Sequence, residues 1–284
     1  MTNPMLDIGR VRSALRSLDV RPTRAMGQNF LVDGHALAQI VAAGEVSATT
    51  TVVEVGPGLG VLTWELVQRA AHVIAVELDK RLIARLHDEF RYATNLTLVN
   101  DDILRTDIAT LTGPHPYHVV ANLPYAITSP VLRHFLEAVH PPEVMVVLVQ
   151  REVAQRICAL PGDLSVLAHA IQIRAIPELV TIVPPSAFMP APEVHSAVLR
   201  LRRRDVPLVS ATAEPGVMRV IKAGFLHARK QLGNSLASGL ASHQISITRE
   251  AAQAHLIAAG IDPVRRAETV TITEWIALAH QLGY

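Results

Sequence analysis

A single cysteine, Cys158, stands among the 284 residues, so an internal disulfide is excluded. It falls on a helical apolar pattern over residues 150–160 with Val153 and Ile157, which predicts a buried, inert thiol. Aromatic residues make up only 4 % of the chain. No apolar run approaches the roughly 18 residues needed to cross a bilayer, and the first twenty residues lack the apolar centre of a secretory leader. A cytoplasmic protein is therefore expected, with no membrane partner. The thirteen histidines are scattered without ligand spacing, so no metal site is expected. Charge of one sign is missing too: the net charge is +1, and only its distribution is informative.

Half of the residues are apolar, enough for a main domain and a smaller one. The most informative stretch is V-V-A-N-L-P-Y, residues 119–125. Val119 to Ala121 read as the end of a buried strand that Pro124 forbids to continue. The chain must then leave the sheet at Asn122 and Leu123, where open α/β sheets bind ligands. An amide oxygen, a backbone carbonyl and the Tyr125 ring there suit a planar amine such as a nucleobase. An ordinary strand exit with Asn as turn former is the plainer alternative.

Residues 51–55 form a β-branched strand running into E-V-G-P-G-L-G, residues 54–60, and a helical pattern follows. A glycine turn between strand and helix lets a ligand approach the backbone closely. The dinucleotide fingerprint wants glycine at position 61, which is Val61. Pro57 and Glu54 also fit a cationic or neutral ligand better than a pyrophosphate. The strand 72–76 ends in Glu77, twenty-one residues after Gly56, the spacing of a ribose-binding carboxylate. Its alternative role is to start the helix 79–90. The strand 96–99 ends in Asp101 and Asp102, either of which can accept from an exocyclic amine or remain solvated. Earlier, Gln28, Asn29 and Phe30 form either a loop over a ligand or a connector with Phe30 in the core. Asp33 is placed to cap the helix 34–43. In order, these signals describe an adenosine-shaped site.

Further on, helices are expected at 128–139 and 150–160, and strands at 144–149, 179–183 and 196–201. Residues 164–176 resist assignment. Three prolines brace Phe188, which either stacks on a ligand or packs in the core. Arg202 to Pro207 read as a linker. Between Arg200 and Lys230 eight basic residues face two acidic ones, a surplus of six. A continuous helix over 216–236 would bury Val217, Val220, Ile221, Gly224, Phe225, Ala228 and Leu232. Arg219, Lys222, Arg229 and Lys230 would then share the opposite face, either as a phosphate-binding surface or simply as a solvated one.

The motifs G-Q-N-F-L-V-D, E-V-G-P-G-L-G-x-L-T, V-E-L-D, N-L-P-Y, Q-R-E-V-A-Q-R and P-P-S-A-F-M-P-x-P-x-V-x-S-A-V occur in order, followed by R-K-Q-L-x-N-x-L and R-A-E-T. From about residue 24 to the C-terminus the chain thereby resembles the ribosomal RNA adenine dimethyltransferase family, in its small-subunit branch. The resemblance implies an α/β fold: a Class I methyltransferase Rossmann-like domain over residues 1–204, with a seven-stranded, mostly parallel sheet. A small all-helical domain over 205–284 would contact RNA through Arg219, Lys222, Arg229 and Lys230. It implies S-adenosylmethionine as cofactor, with Gln28, Asn29, Leu31 and Asn122 against it and Gly56 giving close approach. Glu77 would hold the ribose, Asp102 the adenine amine, and Ile103 the ring. Asn122 and Leu123 would face the target amine, and Tyr125 and Phe188 would sandwich the target base. The substrate would be small-subunit ribosomal RNA or its precursor particle, dimethylated near the 3′ end by a monomer.

Two departures stand out. The segment P-G-D-L-S-V is shorter than the family's usual loop, and Ala228 and Gly233 occupy positions where arginines are common. Three rivals remain: a large-subunit RNA methyltransferase of the macrolide-resistance type, a non-catalytic RNA-binding assembly factor, and a nicotinamide oxidoreductase. An intact Glu77–Asp102–Asn122 set opposes the second, and Val61 opposes the third.

Overall fold

The computed structural model describes residues 3–18 and 29–284. The chain forms two compact units, residues 1–154 with 177–203, and residues 155–176 with 204–284. A single boundary after residue 204 is therefore too simple. The segment 155–176, part of which periodicity leaves unassigned, belongs with the C-terminal residues.

The first unit opens with helix α1 (Ile8–Ser17), capped by Asp7, and the short strand β1 (Phe30–Leu31). Helix α2 (Gly34–Ala43) starts as expected at Asp33, whose carboxylate accepts from the Ala36 amide at 2.7 Å. Then come β2 (Thr51–Val55), α3 (Val61–Val67), β3 (His72–Glu77), α4 (Lys80–Glu89), β4 (Leu96–Asn100), α5 (Ile108–Thr112) and β5 (Tyr117–Asn122). Helix α6 (Thr128–Leu136), β6 (Val144–Gln150) and α7 (Arg151–Ile157) follow. Helix α8 (Val166–Gln172) belongs to the second unit, and after it β7 (Ala175–Val183), β8 (Phe188–Met189) and β9 (Ser196–Arg203) complete the strands. Seven of them form one sheet in the order β4-β3-β2-β5-β6-β9-β7. The ladders among β4, β3, β2, β5 and β6 are parallel, and β9 runs antiparallel to β6.

Parallel strands are covered on both faces, which is why their sequences read as unbroken apolar runs. Val144 to Val149 are all buried, and each such side chain contributes on the order of 1.5–3 kcal/mol on leaving water. Arg202 and Arg203 are part of β9, not of a linker, because Arg202 pairs with Met145's neighbour Val144 and the ladder continues to the strand's end. Cys158 lies one residue beyond α7 and is only half-buried, so the expected buried thiol is not found.

The second unit gathers α8 with α9 (Glu214–Phe225), α10 (Leu232–Ala241), α11 (Arg249–Ala258) and α12 (Ile272–Gln281) around the fully buried Trp275. The expected continuous helix over 216–236 is in fact two helices. The Leu232 and Gly233 amides donate to the Arg265 and Pro263 carbonyls instead of to a preceding turn, so α10 starts afresh there. Periodicity misses the break because the apolar spacing runs straight across it. Arg229 and Lys230 thus sit on the exposed connection, while Arg219 and Lys222 remain on α9.

Candidate active site

Topology dictates where a ligand can lie. The chain lays β2, β3 and β4 outward in one direction, then returns to place β5 on the other side of β2. Where strand order reverses, the loops leaving the carboxyl ends diverge and open a crevice. Gly56 follows β2 and Asn122 ends β5, so both stand at that crevice. Glu54 is the ladder partner of Ala75 on one side and of Val120 on the other. Side chains alternate along a strand, so Glu54, Glu77 and Asn122 leave the same face of the sheet.

Gly56 has a positive φ of 64°, and a Cβ added there would meet nothing within 4 Å. Its amide is held by the Val76 carbonyl at 2.9 Å, leaving an open approach to the backbone. Gly60 (φ 86°) serves packing instead, since a Cβ there would come within 2.6 Å of the Phe90 ring. The Glu77 carboxylate is 7 % exposed and ties the loop to the strand end, accepting from the Gly58 amide at 3.1 Å and the Asp79 amide at 2.9 Å. Burial raises its pKa, and these two amides oppose the rise.

Asp102 accepts from the Leu104 amide at 3.0 Å and lies 3.7 Å from Arg105. Asp101 spends its carboxylate on the Asp102 amide (2.8 Å) and the Thr106 hydroxyl (3.1 Å), which leaves Asp102 the better placed of the two acids. Asp102 and the buried Ile103 line a cleft of about 470 Å³ together with Gly56, Glu77 and Pro124. Small-molecule pockets run to roughly 300–1,000 Å³. A narrower cavity of about 90 Å³ adjoins it, sharing Gly56, Glu77 and Pro124 and reaching Glu54, Asn29, Leu31, Asn122, Leu123 and Tyr125.

Asn122 donates its amide nitrogen to the Asn29 carbonyl at 3.0 Å. Among the described residues no donor reaches its side-chain oxygen, which remains the acceptor. Leu123 gives its amide to the Leu148 carbonyl at 3.3 Å, and among the described residues nothing donates to the Leu123 carbonyl. The Tyr125 hydroxyl meets the Ser196 hydroxyl at 2.7 Å, and burial raises its pKa.

Phe188 lines neither cavity. It is 5 % exposed, sits in the main core and pairs in register with Leu31, so the packing alternative describes it in this structure. Phe30 packs with Val11, Ala14, Leu59 and Leu82, as the core alternative has it, and also lines the narrow cavity. Gln28 lies outside the described residues. Met5 and Val11 also line the cavity, and no motif in the sequence marks either of them.

Four of the eight basic residues between Arg200 and Lys230 are held by carboxylates or carbonyls of the protein. Arg200 pairs with Glu45 (3.1 Å) and Glu178 (2.5 Å), Arg202 with Glu45, and Arg203 with Glu143 (3.6 Å). Arg204 donates to the Gln172 carbonyl at 2.8 Å. Arg219, Lys222, Arg229 and Lys230 are exposed, and Arg219 reaches the Tyr284 hydroxyl at 3.3 Å. The short P-G-D-L-S-V segment is held by the Gly162 and Leu164 amides donating to the Glu268 carbonyl, within the R-A-E-T motif. Among the described residues no cluster of His, Cys, Asp and Glu could hold a metal, and no helix is long and apolar enough to cross a membrane.

A seven-stranded sheet in this order, with an open glycine turn after its central strand and a buried carboxylate ending the next, defines a protein of the Class I methyltransferase fold. The chain belongs to the ribosomal RNA adenine dimethylase family, whose model matches residues 21–280. It is 42 % identical over 269 residues to ribosomal RNA small subunit methyltransferase A of Dehalococcoides mccartyi, covering 94 % of this chain and 91 % of the relative. The protein of the same name from Lactiplantibacillus plantarum is 39 % identical over 280 residues, covering 96 % and 94 %. Among solved structures, the 23S rRNA methyltransferase ErmE is 30 % identical with a TM-score of 0.71, covering 90 % of this chain and all of that one. A dimethyladenosine transferase from Plasmodium falciparum shares the fold at a TM-score of 0.75 and 21 % identity, covering 88 % of this chain and 95 % of that one.

Proposed function

We propose that this chain transfers methyl groups from S-adenosylmethionine to the exocyclic amine of adenines near the 3′ end of small-subunit ribosomal RNA. The observation that carries the reading is a pair of acceptors unclaimed among the described residues, the Asn122 side-chain oxygen and the Leu123 carbonyl, at the switch point of a sheet belonging to this family. The relatives named for the small subunit, at 39–42 % identity, support it over the large-subunit rival, whose counterpart ErmE stands at 30 %.

The residues fit such a cofactor. The open side of Gly56 admits a ligand against the backbone, Glu77 keeps lone pairs for ribose hydroxyls, and Asp102 and Ile103 suit the amine and face of an adenine. When bound, S-adenosylmethionine supplies a sulfonium methyl group already activated for transfer. The chain's own work is to prepare the nucleophile. The adenine amine is weak because its lone pair is delocalised into the ring. Acceptors at Asn122 and Leu123 bind its hydrogens and favour the pyramidal nitrogen of the transition state. Asn29 fixes which atom of the Asn122 amide does this. A base must leave its stack to reach the crevice, and the Tyr125 ring, anchored through Ser196, offers it a stacking face. Phe188 supports this indirectly, through the pairing of β8 with β1, whose neighbour Asn29 orients Asn122. Exposed Arg219, Lys222, Arg229 and Lys230 suit RNA phosphates.

Mass spectrometry of RNA after incubation with unmethylated small subunits and S-adenosylmethionine tests the reading. Dimethyladenosine near the 3′ end is expected. Methylation confined to large-subunit RNA, or none at all with intact cofactor binding, overturns it.

A further inference from the structure

Glu54 is the acidic group at the crevice that this account leaves unused. It is 1 % exposed, and among the described residues its donors come from the buried Thr63, the hydroxyl at 2.7 Å with a weaker contribution from the backbone amide. It shares a face of the sheet and a narrow cavity with Glu77. None of the described residues lining that cavity is Lys, Arg or His. Of the charged groups on the surrounding elements, Asp79 beyond β3 pairs with Arg81 (2.6 Å) and Glu65 on α3 with Arg69 (2.7 Å). His118, nearer the start of β5, is bonded to the Gly44 carbonyl (2.8 Å).

Two carboxylates in one desolvated cavity, with no counter-ion among the described residues that line it, do not both stay ionised. The structure also indicates which one keeps the proton. Glu77 is stabilised as an anion by the amides of Gly58 and Asp79, whereas among the described residues Glu54 draws on Thr63 alone. Burial pushes the Glu54 carboxyl up to about 8, with Glu77 adding to the rise and Thr63 opposing it.

Resting on the function proposed above, we infer that Glu54 is a specificity-determining residue that reads ligand charge. It is protonated in the ligand-free cavity and releases that proton to solvent when a ligand of net positive charge enters. S-adenosylmethionine carries a sulfonium, an ammonium and a carboxylate, a net charge of one positive. Its demethylated product has a neutral thioether and no net charge. The ionised pair therefore favours the methyl donor over the spent form, and the preference fades as pH falls and Glu54 regains its proton.

Titration calorimetry of the ligand-free protein with S-adenosylmethionine, in two buffers of different protonation enthalpy near neutral pH, reads the proton directly. Release on the order of one proton is expected with the methyl donor and much less with S-adenosylhomocysteine. Affinity for the donor should increase with rising pH, by up to about tenfold per unit, and level off above about pH 8. Glu54→Gln, which keeps an acceptor for Thr63, should bind without proton release. Equal heats in both buffers, or undiminished release in Glu54→Gln, overturn the inference.

A second readout needs no ligand. The folded-state pKa lies above the ordinary 4.5, so Glu54's contribution is fully present below about pH 4.5 and is lost as pH rises through about 8. Denaturant unfolding of the wild-type protein should show that decline, and Glu54→Gln should lessen it. Failure to bind the cofactor, with the decline present, would overturn the functional reading and leave the Glu54 proton standing; an undiminished decline in Glu54→Gln would overturn the inference itself.

Discussion

At the residue scale, the two polar groups that end β3 and β5 should fail in different ways. Glu77→Ala removes acceptors for a ribose and should weaken S-adenosylmethionine binding, with charge-assisted hydrogen bonds worth roughly 1.5–3 kcal/mol each. Asn122→Ala removes an acceptor that matters most as the amine becomes pyramidal. Single-turnover rate should fall by about 10²–10³ while cofactor affinity changes far less. Calorimetry and rapid-quench kinetics on both variants separate the roles; matched losses in both assays would show that neither residue has the part assigned to it. Phe188→Ala is expected to act on stability, because the ring is core: a cost of about 3–5 kcal/mol in denaturant unfolding is the usual range. An unchanged midpoint with lost turnover would restore Phe188 to the base-stacking role. Strand-end polar residues are legible in sequence because proline and spacing fix where a strand must stop. The fate of Phe188 is not, since a proline-braced ring can turn inward or outward and only tertiary packing decides.

At the scale of elements, the glycine turn joins two different demands within five residues. Gly56→Ala adds a methyl to open space at positive φ, so about 1–2 kcal/mol of backbone cost is expected. The larger effect should be on ligand binding, because the methyl occupies the approach to the backbone. Gly60→Ala carries the same kind of backbone cost and also drives Cβ into Phe90 and Leu86, so its stability loss should be the greater of the two, with any binding defect secondary. Thermal unfolding with and without S-adenosylmethionine ranks them; the reverse order would mean that the turn is not shaped as described. The sequence shows three glycines but not this division of labour, which depends on what α4 presents to the turn. Long-range partners also explain the other element-scale miss. The apolar spacing from Val217 to Leu232 is a sound helical pattern, yet the Pro263 and Arg265 carbonyls claim the amides that would have continued it. The strands were easier to place, because burial on both sheet faces writes itself as valine-rich runs bounded by glycine and proline.

At the scale of the whole molecule, a net charge of +1 conceals a separation between cations the protein uses internally and cations it leaves exposed. The β9 arginines are matched by Glu45, Glu178 and Glu143, and Arg204 is spent on a carbonyl. A docking surface built on Arg202 to Arg204 would have to break those bonds. Arg219 and Lys222 on α9 stand opposite its buried Val217, Val220 and Ile221, so they can be changed without opening the core. Reversing both, Arg219→Glu with Lys222→Glu, should shift stability by no more than about 0.5 kcal/mol each, with Arg219 also losing its Tyr284 contact. Cofactor affinity should be untouched. Binding to the small ribosomal particle should weaken, and its dependence on salt should become shallower by nearly one unit of slope per lost phosphate contact. The weakening should be indifferent to sequence around the target adenine, because phosphates position the enzyme while the crevice selects the base. Filter binding across a salt series measures both quantities. Wild-type affinity and slope in the double variant would leave Arg229 and Lys230, on the exposed connection between α9 and α10, as the cations to reverse next.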